Sequence, residues 1–414
     1  MGKRPPDLSS REKKSWNSGA VGALTGVRVL DLSRFIAGPL CAQNLADLGA
    51  DVIKVERIGG EDTRQNAPRY SGKSIYTALF NRNKRAVTLN MRHARGREVL
   101  RDLAAWADII VENFRPGTLE KMGLSPSVLA EINEKLILVS ISGFGQEGRN
   151  RDRALFDCIA QAKSGLMTLN AQPDGVPILT KIFPADSLAA HHATIGALGA
   201  LYHRERTGEG QVVHVSVFDA LFSAIGTSVP GYLLTGEEPA QNGNRDDYNA
   251  PANLFQTTDG YVYLHAGTPT FWARFCSDVL GRPELASDPR YNSISARMKN
   301  QDEVERLVQD WTASRSGEDV EAVLKSAGIP CSIVADIPTV ATDSQVWDRG
   351  MLMRVEDSEG DELVLIGNPV KLSRSPLGAR YPPPQVGEHT EEVFSEILKM
   401  NKAELQLLRK EGVI

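Results

Sequence analysis

The sequence predicts an α/β fold built on a parallel sheet, and three observations carry the prediction. Gly26-Val-Arg-Val-Leu-Asp-Leu32 alternates like a strand, Pro39 to Ala50 reads as a helix, and Asp51-Val-Ile-Lys-Val-Glu56 is a second strand. That is a βαβ unit in about thirty residues, and joining two strands by a helix makes them parallel. The same alternation of strand and helix patterns runs on to about Leu234. Composition then shifts over Gly236 to Asn253, rich in Glu, Gly, Asn and Asp, which marks a linker and the start of a smaller domain.

The elements follow in order. Residues 1–20 are basic, polar and Pro-containing, and read as a disordered tail without the apolar core of a secretory signal. Pro39 suits a first helical turn, where its missing N–H costs nothing. Gly96–Ala107 reads as a helix, Asp108–Glu112 as a strand, Pro126–Asn133 as a helix and Leu136–Ser142 as a strand. Phe156–Leu169 is expected to be helical. Gln211–Val217 reads as a strand and Asp219–Leu234 as one helix. In the smaller domain, Leu254–Leu264 reads as a hairpin turned at Asp259-Gly260, since Gly supplies a positive φ. Helices are expected at Thr270–Leu280, Asp302–Ala313 and Gly317–Ala327. Cys331–Val334 and the hairpin Met351–Ile366 return to β structure, Pro382-Pro-Pro is extended, and two short helices end the chain.

With 414 residues, more than one core is required. A net charge of −5 gives no reason to expect nucleic acid or an anionic membrane as partner. Cys41, Cys158, Cys276 and Cys331 are scattered, without metal-ligand spacing, so neither zinc nor a disulfide framework is expected and a reducing cytoplasm fits. No apolar run reaches the roughly 18 residues that a membrane span needs.

The chemistry gathers around Lys181-Ile-Phe-Pro-Ala-Asp-Ser-Leu-Ala-Ala-His-His. Pro184 breaks what precedes it, and a long apolar run to His203 follows. Asp186 is therefore expected at the N-cap of a helix, with the helix dipole holding its carboxylate ionised. Most such acids are caps and nothing more; a few are nucleophiles. Asp157 also stands at the start of a predicted helix. The opening βαβ unit invites a nicotinamide dinucleotide reading with Glu56 as the ribose-binding acid, but Gly38 stands alone where that fingerprint needs three glycines. Basic residues recur after strands, at Arg57, Arg82-Asn-Lys-Arg85, Arg92 and Asn113-Phe-Arg115, the edge where open α/β sheets bind ligands.

Together these stretches resemble a known family. Ala37-Gly-Pro, Leu48-Gly-Ala-Asp-Val-Ile-Lys-Val-Glu56, Asn81-Arg-Asn-Lys-Arg85, Val111-Glu-Asn-Phe-Arg-Pro-Gly117, Ser142-Gly-Phe-Gly-Gln146, Ala185-Asp186, Arg204-Glu-Arg-Thr-Gly-Glu-Gly-Gln211 and Gly387-Glu-His-Thr390 run in the order found in class III coenzyme A transferases. The resemblance implies a Rossmann-like large domain over 21–235 completed by 336–414, a small α+β domain over 236–335, and an interlocked, ring-like homodimer. It implies CoA transfer from an acyl-CoA to a carboxylic acid, with Asp186 as nucleophile and Asp157 in an auxiliary role. CoA contacts fall, by the same matching, on Ala37, Arg57, Leu89, Asn90, Met91, Arg92, Asn113, Phe114, Arg115 and Lys121. CoA and acyl-CoA are substrates, with no permanent cofactor and no metal expected. The family's racemases carry a His before the acid matched by Asp157, whereas Phe156 stands here and cannot take a proton, so the transferase branch is favoured. The formyl-CoA branch has Gln where this chain has Ile36. The alternatives are an acyl-CoA racemase or isomerase of the same fold, or a nucleotide-binding protein without catalysis.

Overall fold

The computed structural model describes residues 6–375 and 377–414. The chain forms two compact units: one takes the chain up to Leu166, Leu179–Pro230 and Ser344–Ile414, the other Met167–Ile178 and Gly231–Asp343.

In the first unit the strands β1 (Arg28–Asp31), β2 (Asp51–Glu56), the two-residue pair β3 (Arg69–Tyr70) and β4 (Lys73–Ser74), β5 (Lys84–Thr88), β6 (Ile109–Glu112), β7 (Ile137–Ser142) and β8 (Val212–Ser216) appear in chain order. Six of them make one sheet in the order β5-β2-β1-β6-β7-β8. Every neighbouring pair in it is parallel. The chain therefore builds outward from β1 through β2 to β5, then returns to β6 on the other side of β1. That reversal opens a crevice between the loops after β1 and β6, at the carboxyl edge of the sheet.

The helices of this unit are α1 (Ala37–Asp47), α2 (Ile75–Asn81), α3 (Ala94–Trp106), α4 (Thr118–Lys121), α5 (Pro126–Ile132), α6 (Asp157–Ser164), α8 (Pro184–Thr207) and α9 (Val217–Ala224), while α7 (Leu166–Leu169) and α10 (Ser228–Thr235) each carry the chain from the first unit into the second. Both faces of the sheet are buried, which is why its strands read as nearly continuous apolar runs. Val29, Val52, Val111 and Val139 point to one side, where α1 and α8 pack. Ala185, Ala189, Ala193 and Ala197 are buried on α8, and such small residues let two helix backbones approach closely. Leu30, Ile53, Val87 and Leu138 point to the other side, against Leu100, Leu103 and Phe394.

Three sequence expectations change here. Phe156–Leu169 is not one helix: α6 ends at Ser164, and Gly165, with φ +94°, separates it from α7. Asp219–Leu234 is not one helix: α9 and α10 are separated by a turn in which Gly226 has φ +58°. Arg82-Asn-Lys-Arg85 is not a ligand-facing basic patch. Arg82 pairs with Asp47 at 2.7 Å, Lys84 with Asp31 at 2.8 Å and Arg85 with Asp51 at 2.7 Å, and all three cations are buried.

The second unit has an antiparallel sheet of β9 (Ala252–Gln256), β10 (Tyr261–His265) and β11 (Cys331–Ile333). Against it lie α11 (Pro269–Arg274), α12 (Ile294–Lys299), α13 (Gln301–Thr312) and α14 (Gly317–Ser326), around Trp272, Phe275 and Trp311, with α15 (Ile337–Thr342) following. The first unit then resumes with α16 (Ser344–Asp348), the hairpin β12 (Leu352–Glu356) and β13 (Glu362–Ile366), α17 (Thr390–Ile397) and α18 (Lys402–Lys410). Trp16 packs against this hairpin's core, and Lys13 bridges to Arg354. The Gly387-Glu-His-Thr390 stretch covers the outer edge of β5: Ala86 N–H donates to His389 Nδ1 at 3.2 Å and Thr88 N–H to Thr390 Oγ1 at 3.1 Å.

Candidate active site

The crevice at the strand reversal is a cleft of about 400 Å³. Its walls are the loop after β1, from Arg34 to Ala37, and the loop after β6, from Asn113 to Pro116. Asn113 clamps the two together: Arg34 N–H donates to Asn113 Oδ1 at 2.8 Å, and Asn113 Nδ2 donates to the Arg34 carbonyl at 2.7 Å. The Arg34 guanidinium lies 5.3 Å from the centre of the Phe114 ring, a cation–π contact. Beneath the first loop, Lys54 Nζ donates to the Ser33 carbonyl at 2.6 Å and Lys84 Nζ to the Pro39 carbonyl at 2.8 Å. Burial alone would raise the Asp31 carboxyl, but Lys54 and Lys84 hold it below its ordinary value. Burial pushes the Lys84 ammonium down to about 8, against the pull of Asp31. Gly38 allows the loop to lie this close, because a Cβ there would come within 2.1 Å of Ser33 Cβ.

Asp186 reaches the same cleft from α8. It is not the N-cap. Phe183 holds that position, Pro184 is the first helical residue, and Asp186 lies in the first turn without capping the helix. The cap comes from elsewhere: Asp157 Oδ2 accepts from the N–H groups of Ala185 at 2.8 Å and Asp186 at 3.2 Å. Asp157 Oδ1 accepts from Gln161 Nε2 at 2.6 Å, one turn along α6. The Gln161 carbonyl oxygen accepts from Thr180 N–H at 3.1 Å, so one side chain ties α6 to the strand of chain leading into α8. The N–H groups of Ala185 and Asp186 are thus already taken and are not free to receive a developing anion. Nor does the dipole win at Asp186. Burial, and then the Asp157 carboxylate, push its carboxyl up to about 7. Burial and the nearby Asp186 also push the Tyr76 phenol up.

Of the residues matched to CoA contacts, Ala37, Asn113, Phe114 and Arg115 line the cleft with Asp186. Asp157 lies just under it, 5% exposed. The others do not line this cleft. Arg57 follows β2 and is ion-paired with Asp62. Leu89 is fully buried after β5, and Asn90 N–H donates to the Val413 carbonyl at 2.7 Å. Met91 and Arg92 follow, with Arg92 exposed, and Lys121 is exposed at the end of α4. All of these stand at or after carboxyl ends of β2, β5 and β6, on the same edge of the sheet as the cleft.

Phe156, singled out in the sequence only as the residue that replaces a His, meets Phe35 edge to face across the cleft, with ring centres 6.0 Å apart; Phe35 and other cleft residues escaped the sequence reading. Phe35 has φ +65°, rare for a bulky residue and invisible in sequence. Arg151, Arg153 and Ser142 also line the cleft. Gln161 was legible: an amide four residues after Asp157 on one helix is placed to touch it.

Comparison with known proteins decides the assignment. The sequence profile described as CoA-transferase family III matches residues 24–390. This chain belongs to CoA-transferase family III. It is 35% identical over 394 residues to the succinyl-CoA–D-citramalate CoA-transferase of Chloroflexus aurantiacus, covering 94% of this chain and 98% of that one. It is 33% identical over 397 residues to the succinyl-CoA:glutarate CoA-transferase of Mus musculus, covering 94% and 90%. The crystal structure of a CaiB/BaiF family protein from Brucella suis superposes with a TM-score of 0.81 at 34% identity, over 91% of this chain and all of that one. This family III member is therefore a CoA-transferase, passing CoA from a thioester to a carboxylic acid. Among the described residues no single helix is long and apolar enough to cross a membrane.

Proposed function

We propose that this CoA-transferase takes CoA from an acyl-CoA, with succinyl-CoA as the donor, and passes it to a second carboxylic acid through covalent intermediates on Asp186. The observation that carries this reading is the Asp186 carboxyl, set in the cleft at the strand reversal and held in place by Asp157 through its own backbone N–H. Succinyl-CoA comes from the names of the relatives. In the first step an Asp186 oxygen attacks the thioester carbon, the C–S bond breaks, and CoA leaves as thiolate. The thiolate then attacks the aspartyl carbonyl of the mixed anhydride, releasing the donor acid and leaving an aspartyl-CoA thioester. The acceptor carboxylate attacks that thioester, expelling CoA as thiolate and leaving a second mixed anhydride; the thiolate then attacks the acceptor's carbonyl carbon, forming the new acyl-CoA and releasing the Asp186 carboxylate. The reaction as a whole exchanges one thioester for another of similar energy, so no hydrolysis is needed.

In this reading Arg115 in the cleft, with Arg57, Arg92 and Lys121 along the same sheet edge, receives the CoA phosphates, as guanidinium and ammonium groups do. Ala37, Leu89, Asn90, Met91, Asn113 and Phe114 shape the path of the CoA arm. Asp157 sets the α8 terminus and does not itself react. The working form is the interlocked homodimer, in the cytoplasm.

Intact mass spectrometry of protein incubated with succinyl-CoA and quenched with hydroxylamine or borohydride tests the proposal. Modification at Asp186, absent in Asp186→Ala, is the expected result. An unmodified wild type with several acyl-CoA donors would remove the mechanism.

A further inference from the structure

Among the described residues lining the cleft, one side chain carries a buried polar atom without a partner. Ser142, the last residue of β7, is 4% exposed, and its Oγ has no hydrogen bond. Its partner across the sheet shows what such a hydroxyl ordinarily does. Ser216 pairs with Ser142 in register, accepts from Asp219 N–H at 3.1 Å and donates to the Gly143 carbonyl at 3.3 Å. Ser142 has neither bond, although an unsatisfied buried hydroxyl opposes folding. An orphan of this kind in the wall of a binding cleft is explained by a ligand that completes it.

The surroundings narrow what the ligand group is. Ile141, Gly143, Leu155 and Val217 line the cleft beside Ser142. Gly143 lets Leu155 close over this end, because a Cβ there would come within 2.7 Å of Leu155 Cβ. The cleft's cations, Arg34, Arg115, Arg151 and Arg153, are available to charged groups, whereas Ile141, Gly143, Leu155 and Val217 offer Ser142 only apolar neighbours, which suits an uncharged chain that carries carbonyl groups. An acyl-CoA supplies such a chain in its pantetheine amides and its thioester.

We propose that Ser142 is a substrate-binding residue whose hydroxyl donates a hydrogen bond to a carbonyl oxygen of the acyl-CoA arm in the cleft. This rests on reading the cleft as the acyl-CoA site. A hydroxyl that bonds only to substrate contributes nothing to the free enzyme's stability, so its removal separates binding from folding.

Steady-state kinetics and thermal melting of Ser142→Ala and Ser142→Thr, with succinyl-CoA and an acceptor acid, test it. Ser142→Ala is expected to melt no lower than wild type while KM for the acyl-CoA rises about tenfold, the equivalent of 1.4 kcal/mol. Ser142→Thr, which keeps the hydroxyl, returns KM to within about threefold of wild type. A KM effect alone places the bond on a pantetheine amide; a tenfold loss in kcat places it on the thioester oxygen, where charge develops. The inference is overturned if Ser142→Ala changes both parameters less than twofold. It is also overturned if that variant unfolds or melts several degrees lower, since the hydroxyl would then be structural. Failure of wild type to form an acyl-enzyme would sink the parent reading and this one together. An acyl-enzyme formed with unchanged KM and kcat in Ser142→Ala would sink this one alone.

Discussion

The Asp157 carboxylate caps the helix that carries Asp186, accepting from the Asp186 N–H itself at 3.2 Å and from Ala185 N–H at 2.8 Å. One acid thereby fixes the backbone of the other and raises the pKa of its carboxyl. The two effects separate in mutants. Asp157→Ala leaves two helix N–H groups without their acceptor and the Gln161 amide with only backbone carbonyls, that of Thr180 at 3.2 Å, and is predicted to destabilise by about 2 kcal/mol. Asp157→Asn keeps one acceptor but turns an N–H2 toward Gln161 or the helix, so an intermediate loss is expected. Urea denaturation measures both. In both variants the pH at which Asp186 titrates falls; an unchanged pH profile would show that Asp157 acts through geometry alone.

Activity is predicted to follow the Asp186 carboxyl. A nucleophile must be ionised, and burial with the Asp157 charge sets the carboxyl at about 7 in the free enzyme. The pH profile of kcat/KM for the acyl-CoA should rise through about pH 7 to a plateau. A profile already flat from pH 5 would show that Asp186 is ionised throughout.

Glu112 gives a stability prediction with a definite sign. Burial pushes its carboxyl from 4.5 to about 7, although Ser140 and the Phe114 N–H both donate to it. The folded state thus holds a proton that the unfolded state has released. Its stabilising contribution is full below about pH 4.5 and is lost as pH rises through about 7. Glu112→Gln, neutral at every pH and able to accept from Phe114 N–H, is expected to match wild type at pH 5 and exceed its stability at pH 8. Denaturant titrations at the two pH values check this, and equal pH slopes for the two proteins would refute it.

What the sequence disclosed was what local pattern controls. Asp51–Glu56 was read to the residue, because an apolar run between turns has few other fates in a βαβ unit. Parallel pairing then put Arg57, Arg92 and Asn113 on one edge of the sheet without further information. Which of them border the cleft depends on strand order, and the neighbour relation of β1 and β6 is not written in either strand. Asp186 was found as a helix-mouth acid, but its cap lies 29 residues away in α6, and no periodicity carries that link. Arg82, Lys84 and Arg85 misled for the converse reason. Their acids, Asp47, Asp31 and Asp51, come from α1, β1 and β2, so only the folded sheet shows these charges as internal.

The loop after β1 offers the sharpest steric prediction. Gly38 has an ordinary helical backbone, so an Ala there is not strained in φ; the obstacle is space. The added Cβ would stand 2.1 Å from Ser33 Cβ and 2.5 Å from Ser33 Oγ, and 3.3 Å from Asn113 Cγ. Ser33 cannot retreat freely, since its N–H is bonded to Asp31 at 3.0 Å and its carbonyl to Lys54. Gly38→Ala is therefore predicted to cost about 2 kcal/mol, as overpacked interiors do. By displacing Arg34 from the Asn113 clamp it should also raise KM for the acyl-CoA. Ser33→Gly removes the atom at 2.1 Å, so the double variant should be more stable than the sum of the two single losses, with a coupling of at least about 1 kcal/mol. Additive losses would show that the loop yields without cost, and that Gly38 is not what lets it lie against the sheet.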